Sequence, residues 1–184
     1  MKATRLTLIC HGLTLAQKRG YFPEPADSLV SMPHRSVPHG GSQILTAPEQ
    51  RAQQTALAWG DAKIASGLAD CDMGRWQGLP LKRLQAEQPS ALADWLENPA
   101  SEVHGGESFQ TLCQRMSAWL GDFDWPGEWS AVTHPMVMRA VLVQVLGCPM
   151  TAGQRIDVLP LSRIELSFSG QWRLRINCPQ NASL

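Results

Sequence analysis

The chain has 184 residues, 43% of them hydrophobic, and its 16 basic and 16 acidic residues give a formal net charge of +0. This length suits one domain around one core, so we predict a single domain over residues 1–184. The balanced charge argues against nucleic acid or a membrane surface as the partner, and no apolar run approaches the roughly 18 residues of a membrane span.

The five cysteines are scattered along the chain and form no Cys-x-x-Cys pair. Their spacing argues against a disulfide framework and against a zinc site, so we predict no bound metal. The first ten residues hold too short an apolar run for a secretory signal peptide. We therefore expect a cytoplasmic protein.

The first predicted element is a buried strand over Arg5–Cys10, which stops at a His-Gly pair. From Gly20 to Gln43 there are too many prolines and glycines for regular structure, so we predict a long surface loop. We expect this loop and the segment 80–100 to wall the entrance of a site. The histidines outside the strand ends are interpreted as solvated loop residues: His34, His39 and His104.

A strand followed by a helix is predicted for SQILTAPEQRAQQTALAWG, residues 42–60. Thr46 and Glu49 have the spacing of a capping box, and Pro48 suits the first helical turn. Arg51 then lies near the amino end of the helix, where backbone N–H groups favour an anion.

The second half of the chain continues the alternation of helices and strands. A helical pattern over residues 80–98 is broken by Pro89, and GGESFQTLCQRMSAWLGDF reads as an amphipathic helix. SAVTHP is a second short strand that ends at a histidine, His134, and the helix after it ends at Gly147. Alternating apolar residues over 164–176 predict a closing hairpin.

Strands interleaved with helices predict an α/β fold of three layers: a mostly parallel sheet, helices on both faces, and a C-terminal antiparallel hairpin. An exposed edge strand of such a sheet is compatible with a homodimer. Ligands of these sheets bind outside the carboxyl ends of the strands. His11 and His134 both lie there, which is the first sign of a site.

The residue types at this edge fit a phosphate ester. A neutral His11 imidazole can attack phosphorus, and the planar guanidinium of Arg51 can hold the non-bridging oxygens. His134 and the backbone N–H groups around Gly12 can donate to the same oxygens. Glu107, which follows two glycines, can protonate the leaving group. This chemistry requires positioning and charge stabilisation, and we predict no cofactor.

Five blocks occur in the order LICHGLT, APEQRAQQTA, CDMGRWQGLPL, HGGESF and VTHPMVMRAVL. Together they resemble the signature blocks of the histidine phosphatase superfamily, which includes phosphoglycerate mutases and alpha-ribazole phosphatases. The resemblance implies a phosphoglycerate mutase-like fold and phosphorylation of His11. It also implies that Arg51 and His134 line a phosphate pocket and that Glu107 is the proton donor.

The chain departs from this family in its opening block, Arg-His-Gly-Glu-Thr, which here reads Cys-His-Gly-Leu-Thr. Cys10 therefore replaces one arginine of the phosphate pocket. Gln17 stands where the family commonly has an asparagine, and we expect it to contact the phosphate. Arg19 and Arg35 are candidates to replace the missing charge.

The predicted function is hydrolysis of a small phosphomonoester through a phosphohistidine on His11, weakened by the lost arginine. Mutase activity is less favoured, because a mutase must retain the phosphoryl group in a fully charged pocket. The alternative is a catalytically degenerate relative that binds a phosphorylated ligand or a protein partner. Action on a non-phosphate substrate is a minor third hypothesis.

Each candidate also has a purely structural interpretation. His11 would then be a hydrogen-bonded residue at a strand end, Arg51 a surface arginine, and Glu107 a helix-start acid favoured by the helix dipole. Cys10 is interpreted as a buried small hydrophobic residue, because adjacent strand residues point to opposite faces and the thiol is badly placed for activation by the next histidine.

Overall fold

The computed structural model of the protein describes residues 4–33, 43–123 and 125–176. Within them, the strands are β1 (Thr4–Cys10), β2 (Gln43–Thr46), β3 (Ala62–Ile64), β4 (Gly127–Thr133), β5 (Arg163–Phe168) and β6 (Trp172–Arg175). The α-helices are α1 (Leu15–Arg19), α2 (Gln50–Leu57), α3 (Leu81–Glu87), α4 (Pro89–Glu97), α5 (Phe109–Gly121) and α6 (Pro135–Leu146).

The strands form one mixed sheet in the order β3-β2-β4-β1-β5-β6. The first four strands in this order pair in parallel, whereas β5 runs antiparallel to β1 and β6 antiparallel to β5. In β1 the consecutive residues Leu8, Ile9 and Cys10 are all fully buried, which requires cover on both faces of the sheet. The predicted α/β fold with its C-terminal hairpin is confirmed.

Most predicted elements are present, including the break at Pro89 and the end of α6 at Gly147. The sequence reading missed α1 and β3, which have 5 and 3 residues and are too short to show a period. The predicted capping box in α2 is wrong: Glu49 is itself the N-cap residue, and its side chain makes no capping hydrogen bond. This carboxylate is used elsewhere, as described below.

Aromatic rings are concentrated at the amino edge of the parallel strands. Phe123 lies at the centre of this aromatic cluster, with its ring centroid 5.0–5.9 Å from those of four tryptophans: Trp119, Trp125, Trp129 and Trp172. The Trp172 indole N–H donates to the Leu120 carbonyl at 3.0 Å. The cluster joins the end of α5 to the starts of β4 and β6, and so closes this end of the core.

The interpretation of His104 as a solvated residue is wrong. Its side chain is fully buried, its Nδ1 accepts from the Gly106 N–H at 3.0 Å, and its ring lies 5.4 Å from that of Trp76. His34 and His39 fall outside the described residues. Within the described part of the chain, no helix has the length and apolar character needed to cross a membrane.

Candidate active site

The carboxyl ends of four parallel strands bring the candidate residues together. Cys10 at the end of β1 lies opposite Thr133 at the end of β4, so the residues that follow, His11 and His134, are neighbours. Their ring centroids are 5.2 Å apart. Helix α2, which carries Arg51, begins just after β2, on the other side of β4. The predicted convergence of two histidines and an arginine is therefore present in the structure.

His11 is held in one tautomer. Its Nδ1 lies 2.7 Å from the carbonyl oxygen of Gly12, which can only accept, so Nδ1 carries the proton. Burial, followed by the charge of the neighbouring His134, lowers the pKa of His11 from 6.5 to about 4. The ring is therefore neutral at pH 7, and Nε2, which has no hydrogen-bond partner among the described residues, keeps its lone pair.

Arg51 is 2% exposed and is fixed from two sides. One terminal nitrogen donates to the Glu24 carbonyl at 2.7 Å, and the other donates to the Asp70 carboxylate at 2.6 Å. Its Nε is buried without a hydrogen-bond partner in the described structure. The interpretation of Arg51 as a surface residue does not fit this burial.

His134 lies between two carboxylates. Its Nε2 is 2.6 Å from Oε2 of Glu49, whose other carboxylate oxygen accepts the backbone N–H of Asp70 at 3.0 Å. Its Nδ1 lies 3.4 Å from the Asp70 carboxylate, but the geometry makes no hydrogen bond, and this atom is buried. Glu49 therefore links His134 to the segment that carries Asp70.

Asp70 is the residue of this site that the sequence reading missed. The Thr133 hydroxyl at the end of β4 donates to the Leu68 carbonyl at 2.9 Å, which draws the chain after β3 to the same edge. Burial alone would raise the pKa of Asp70, but the charges of His134, Arg51 and His11 lower it overall. The carboxylate is therefore ionised in the free protein at neutral pH.

The pKa of Glu49 is also lowered. Burial raises its pKa, but the hydrogen bond and the charge of His134 outweigh burial and lower it overall. The two carboxylates at this edge, Glu49 and Asp70, thus face the two basic groups, Arg51 and His134. The site is therefore not strongly positive.

The structure does not bring Glu107 to this cluster as we expected. Its carboxylate makes a two-armed ion pair with Arg115, at 2.9 and 2.8 Å. Among the described residues, no hydrogen bond or ion pair joins Glu107 to the other predicted site residues: His11, Arg51 and His134.

The block around Glu107 instead fixes the segment that carries Asp70. The Glu107 N–H donates to the Asp72 carbonyl at 2.8 Å, and a terminal nitrogen of Arg115 donates to the Ala69 carbonyl at 3.1 Å. A Cβ on Gly106 would collide with the Asp72 backbone, so only glycine permits this close approach. The His-Gly-Gly-Glu block thus holds the segment that carries Asp70 in position.

Of the two other predicted phosphate ligands, one is engaged and one is free. The Gly12 N–H donates to the Thr55 hydroxyl at 2.9 Å, so it is not available to an anion in this conformation. Gln17 lines the cavity beside His11, and its carbonyl oxygen accepts the Thr14 N–H at 3.2 Å. Its amide N–H₂ group has no hydrogen-bond acceptor among the described residues and can donate to a ligand.

Cys10 is a fully buried thiol, as the sequence reading expected. Burial, followed by the negative charge of Asp70, raises its pKa to about 12, so it stays neutral and supplies no charge to the site. Arg19 does not replace the missing arginine by lining the cavity beside His11; it lines a separate surface pocket with Tyr21. Arg35 lies outside the described residues.

Two cavities adjoin this cluster and share Asp70 as part of their common wall. The His11 cavity has a volume of about 180 Å³ and is lined by His11, Gln17 and apolar side chains. The Arg51 cavity, of about 370 Å³, is lined by Arg51 and four carboxylates: Glu24, Glu49, Asp70 and Asp72. In the described part of the chain, no group of three or more His, Cys, Asp or Glu side chains is arranged to hold a metal ion.

Comparison with known families shows which family the chain belongs to. The family model described as the histidine phosphatase superfamily (branch 1) matches residues 32–177. The chain therefore belongs to the histidine phosphatase superfamily, and the resemblance seen in its sequence is confirmed.

Curated relatives are distant. A bifunctional protein of Mycobacterium tuberculosis is 29% identical over 128 residues, which cover 61% of this chain and 35% of that protein. The chain thus spans only about a third of the length of that relative. Glucosyl-3-phosphoglycerate phosphatase of Mycobacterium tuberculosis is 26% identical over 150 residues, covering 73% of this chain and 67% of that protein.

Solved structures share the fold. A mycobacterial glucosyl-3-phosphoglycerate phosphatase in complex with VO3 superimposes with a TM-score of 0.76 at 22% identity, covering 94% of this chain and 97% of that one. The alpha-ribazole phosphatase of Shigella flexneri gives a TM-score of 0.78 at 20% identity, with 94% and 95% covered. At this level of identity, the likeness establishes a common architecture.

Proposed function

We propose that the protein is a phosphomonoesterase that forms a phosphohistidine on His11 and then transfers the phosphoryl group to water. The observation that carries the proposal is the neutral His11, with Nδ1 fixed by a carbonyl and Nε2 free, beside two buried basic groups. Those groups each have a buried nitrogen without a hydrogen-bond partner in the described structure, Arg51 Nε and His134 Nδ1, whereas buried polar atoms are normally partnered. Family membership and phosphatase relatives support this function.

In the first step, the lone pair on His11 Nε2 attacks phosphorus, and the bond between phosphorus and the ester oxygen breaks. Arg51, His134 and the Gln17 amide stabilise the equatorial oxygens. The departing oxygen takes a proton from Asp70, which lines the same cavity as His11. In the second step, Asp70 accepts a proton from water, the water oxygen attacks phosphorus, and the bond between phosphorus and Nε2 breaks.

Asp70 is the proposed proton donor in place of Glu107, and its low pKa in the free protein must rise for this role. A phosphoryl group next to Asp70 brings negative charge, which disfavours a second anion and raises the pKa of the carboxyl. Both carboxylate oxygens of Glu107 are already occupied by the two-armed pair with Arg115.

Turnover of 4-nitrophenyl phosphate by the wild type and by His11→Ala tests the proposed nucleophile. We expect activity in the wild type and only background in the variant, because the variant lacks the imidazole nitrogen that attacks phosphorus in the proposed mechanism. Equal rates for the two proteins would refute the enzyme hypothesis.

The proton donor is tested by the leaving group. Phenolate is a poorer leaving group than 4-nitrophenolate and depends more on protonation. Asp70→Asn should therefore lose far more activity with phenyl phosphate than with 4-nitrophenyl phosphate, whereas Glu107→Gln should affect both substrates alike. If only Glu107→Gln loses more activity with phenyl phosphate than with 4-nitrophenyl phosphate, Glu107 is the proton donor.

A second candidate function is a non-catalytic relative that binds a phosphorylated ligand or a protein partner. It is favoured by the neutral Cys10 and by the pairing of both basic groups with carboxylates, Arg51 with Asp70 and His134 with Glu49. Titration calorimetry with inorganic phosphate separates the two functions: saturable heat without turnover of any phosphomonoester supports the binder.

A further inference from the structure

The His11 cavity has walls of two kinds. Its polar residues are those that serve the phosphoryl group: His11, Gln17 and Asp70. The rest of its lining is apolar: Phe22, Pro23, Met73, Trp95, Pro135 and Met136. The neighbouring Arg51 cavity is lined by carboxylates and lacks the nucleophile. A phosphate ester attacked by His11 must therefore place its alcohol part against apolar side chains.

Such walls discriminate between alcohols. A sugar or glycerol moiety carries several hydroxyl groups that lose their water on entry, and among these side chains only the Trp95 indole offers a strong donor. An apolar group of the same size loses only unfavourable contact with water. The lining thus favours an apolar alcohol and rejects a polyol.

The size and rigidity of the cavity narrow this class further. Its volume of about 180 Å³ must also hold the phosphoryl group, and an apolar protein cavity of about 150 Å³ holds one benzene molecule, so the alcohol part can be no larger than one small ring. The Trp95 ring packs edge-on against Phe22 and Trp76, with centroids 5.7 and 5.9 Å away, so its position is fixed. A single six-membered ring matches a small space that has one fixed aromatic wall.

We propose that the alcohol part of the substrate is one flat apolar ring, of benzyl or phenyl size, seated between Trp95 and Met136. This inference rests on the proposed phosphatase function for the phosphoryl end of the substrate. Trp95 and Phe22 come from the two segments expected to wall the entrance, and Met136 lies at the start of α6, next to His134 and Pro135.

Turnover of benzyl phosphate, glycerol phosphate and glucose 6-phosphate by the wild type tests the proposal. Each ester can leave as a primary alkoxide, so leaving-group chemistry is matched. We expect kcat/KM for benzyl phosphate to exceed the other two by at least tenfold. Equal or higher values for either polyol phosphate overturn the proposal and leave the phosphatase function standing.

Binding of uncleavable analogues tests the apolar subsite separately from the phosphatase function. Benzylphosphonate and 2-hydroxyethylphosphonate carry a carbon–phosphorus bond that this chemistry does not break. In titration calorimetry with the wild type, we expect benzylphosphonate to bind at least tenfold more tightly. If it does and no monoester is hydrolysed, the apolar subsite stands and the phosphatase function fails; equal affinities overturn the subsite.

A polar substitution in the wall of the His11 cavity tests where the substrate ring binds. Met136→Gln keeps the length of the side chain, and we expect it to lower kcat/KM for benzyl phosphate at least fivefold relative to kcat/KM for glycerol phosphate. Met32→Gln is the matched control, because Met32 is 54% exposed and lines neither cavity. A loss that is equal for both esters in Met136→Gln contradicts the proposed seat.

Discussion

The two edges of the parallel sheet bury side chains of opposite character. At the carboxyl edge, beside the apolar wall of the His11 cavity, an ionic cluster is buried, with Arg51 and His134 facing Asp70 and Glu49. At the amino edge, the aromatic cluster surrounds Phe123. Removing charges from water costs several kcal/mol per ion unless pairing compensates, whereas burial of aromatic surface stabilises directly. The aromatic edge therefore holds the fold, and the ionic edge carries the chemistry at a cost in stability.

The largest expected effect comes from the aromatic edge. Phe123→Ala removes a ring that is 5% exposed and should lower the free energy of unfolding by about 3–5 kcal/mol. Because the ring is remote from His11, kcat/KM measured below the melting temperature should stay at the wild-type value. Urea unfolding and 4-nitrophenyl phosphate turnover measure both quantities. A large loss of kcat/KM in the folded variant would show that the amino edge also supports catalysis.

The next effect comes from the ionic edge. Arg51→Met removes a proposed oxyanion donor and should lower kcat by about 10²–10³. It also leaves Asp70 buried without its partner, so unfolding should become easier by about 3–5 kcal/mol.

Arg83→Met is the control for this change, because the Arg83–Glu87 pair is about half exposed on a helix. It should alter stability by no more than about 0.5 kcal/mol and leave activity unchanged. If the Arg51 and Arg83 variants behave alike, Arg51 is a structural residue.

The smallest effect is a shift in pH dependence. Since the pKa of His11 is lowered to about 4, the ring should remain a nucleophile from pH 6.5 down to about 4. The folded state disfavours protonation, so the contribution of His11 to stability is complete above pH 6.5 and declines as the pH falls towards 4. NMR titration of the His11 ring measures this pKa directly. A value near 6.5 would show that the ring is solvated.

Local patterns in the sequence predict the fold and half of the site. Both histidines directly follow a strand, and Arg51 directly opens a helix, so short motifs suffice to place them. Asp70 was missed because the strand before it, β3, has three residues and shows no period, so its carboxyl end could not be located.

The two glutamates make contacts that the sequence pattern does not predict. Glu49 has capping-box spacing, but its carboxylate is drawn to His134 and to the Asp70 backbone, contacts 85 and 21 residues away in the chain. Glu107 follows two glycines at a helix start, which resembles a catalytic position. Its partner Arg115 lies two helical turns later and captures the carboxylate. The contacts of Glu49 are distant in the chain and that of Glu107 spans eight residues, so the capping-box and Gly-Gly-Glu patterns report neither.

Trapping the covalent intermediate tests the central claim most directly. The wild type is mixed with 4-nitrophenyl phosphate, quenched at alkaline pH, where phosphohistidine survives, and mapped by mass spectrometry of its peptides. The proposed mechanism predicts one phosphoryl group on His11 and none in His11→Ala. Turnover with the phosphoryl group on another residue, or with no phosphoryl-enzyme at all, would contradict it.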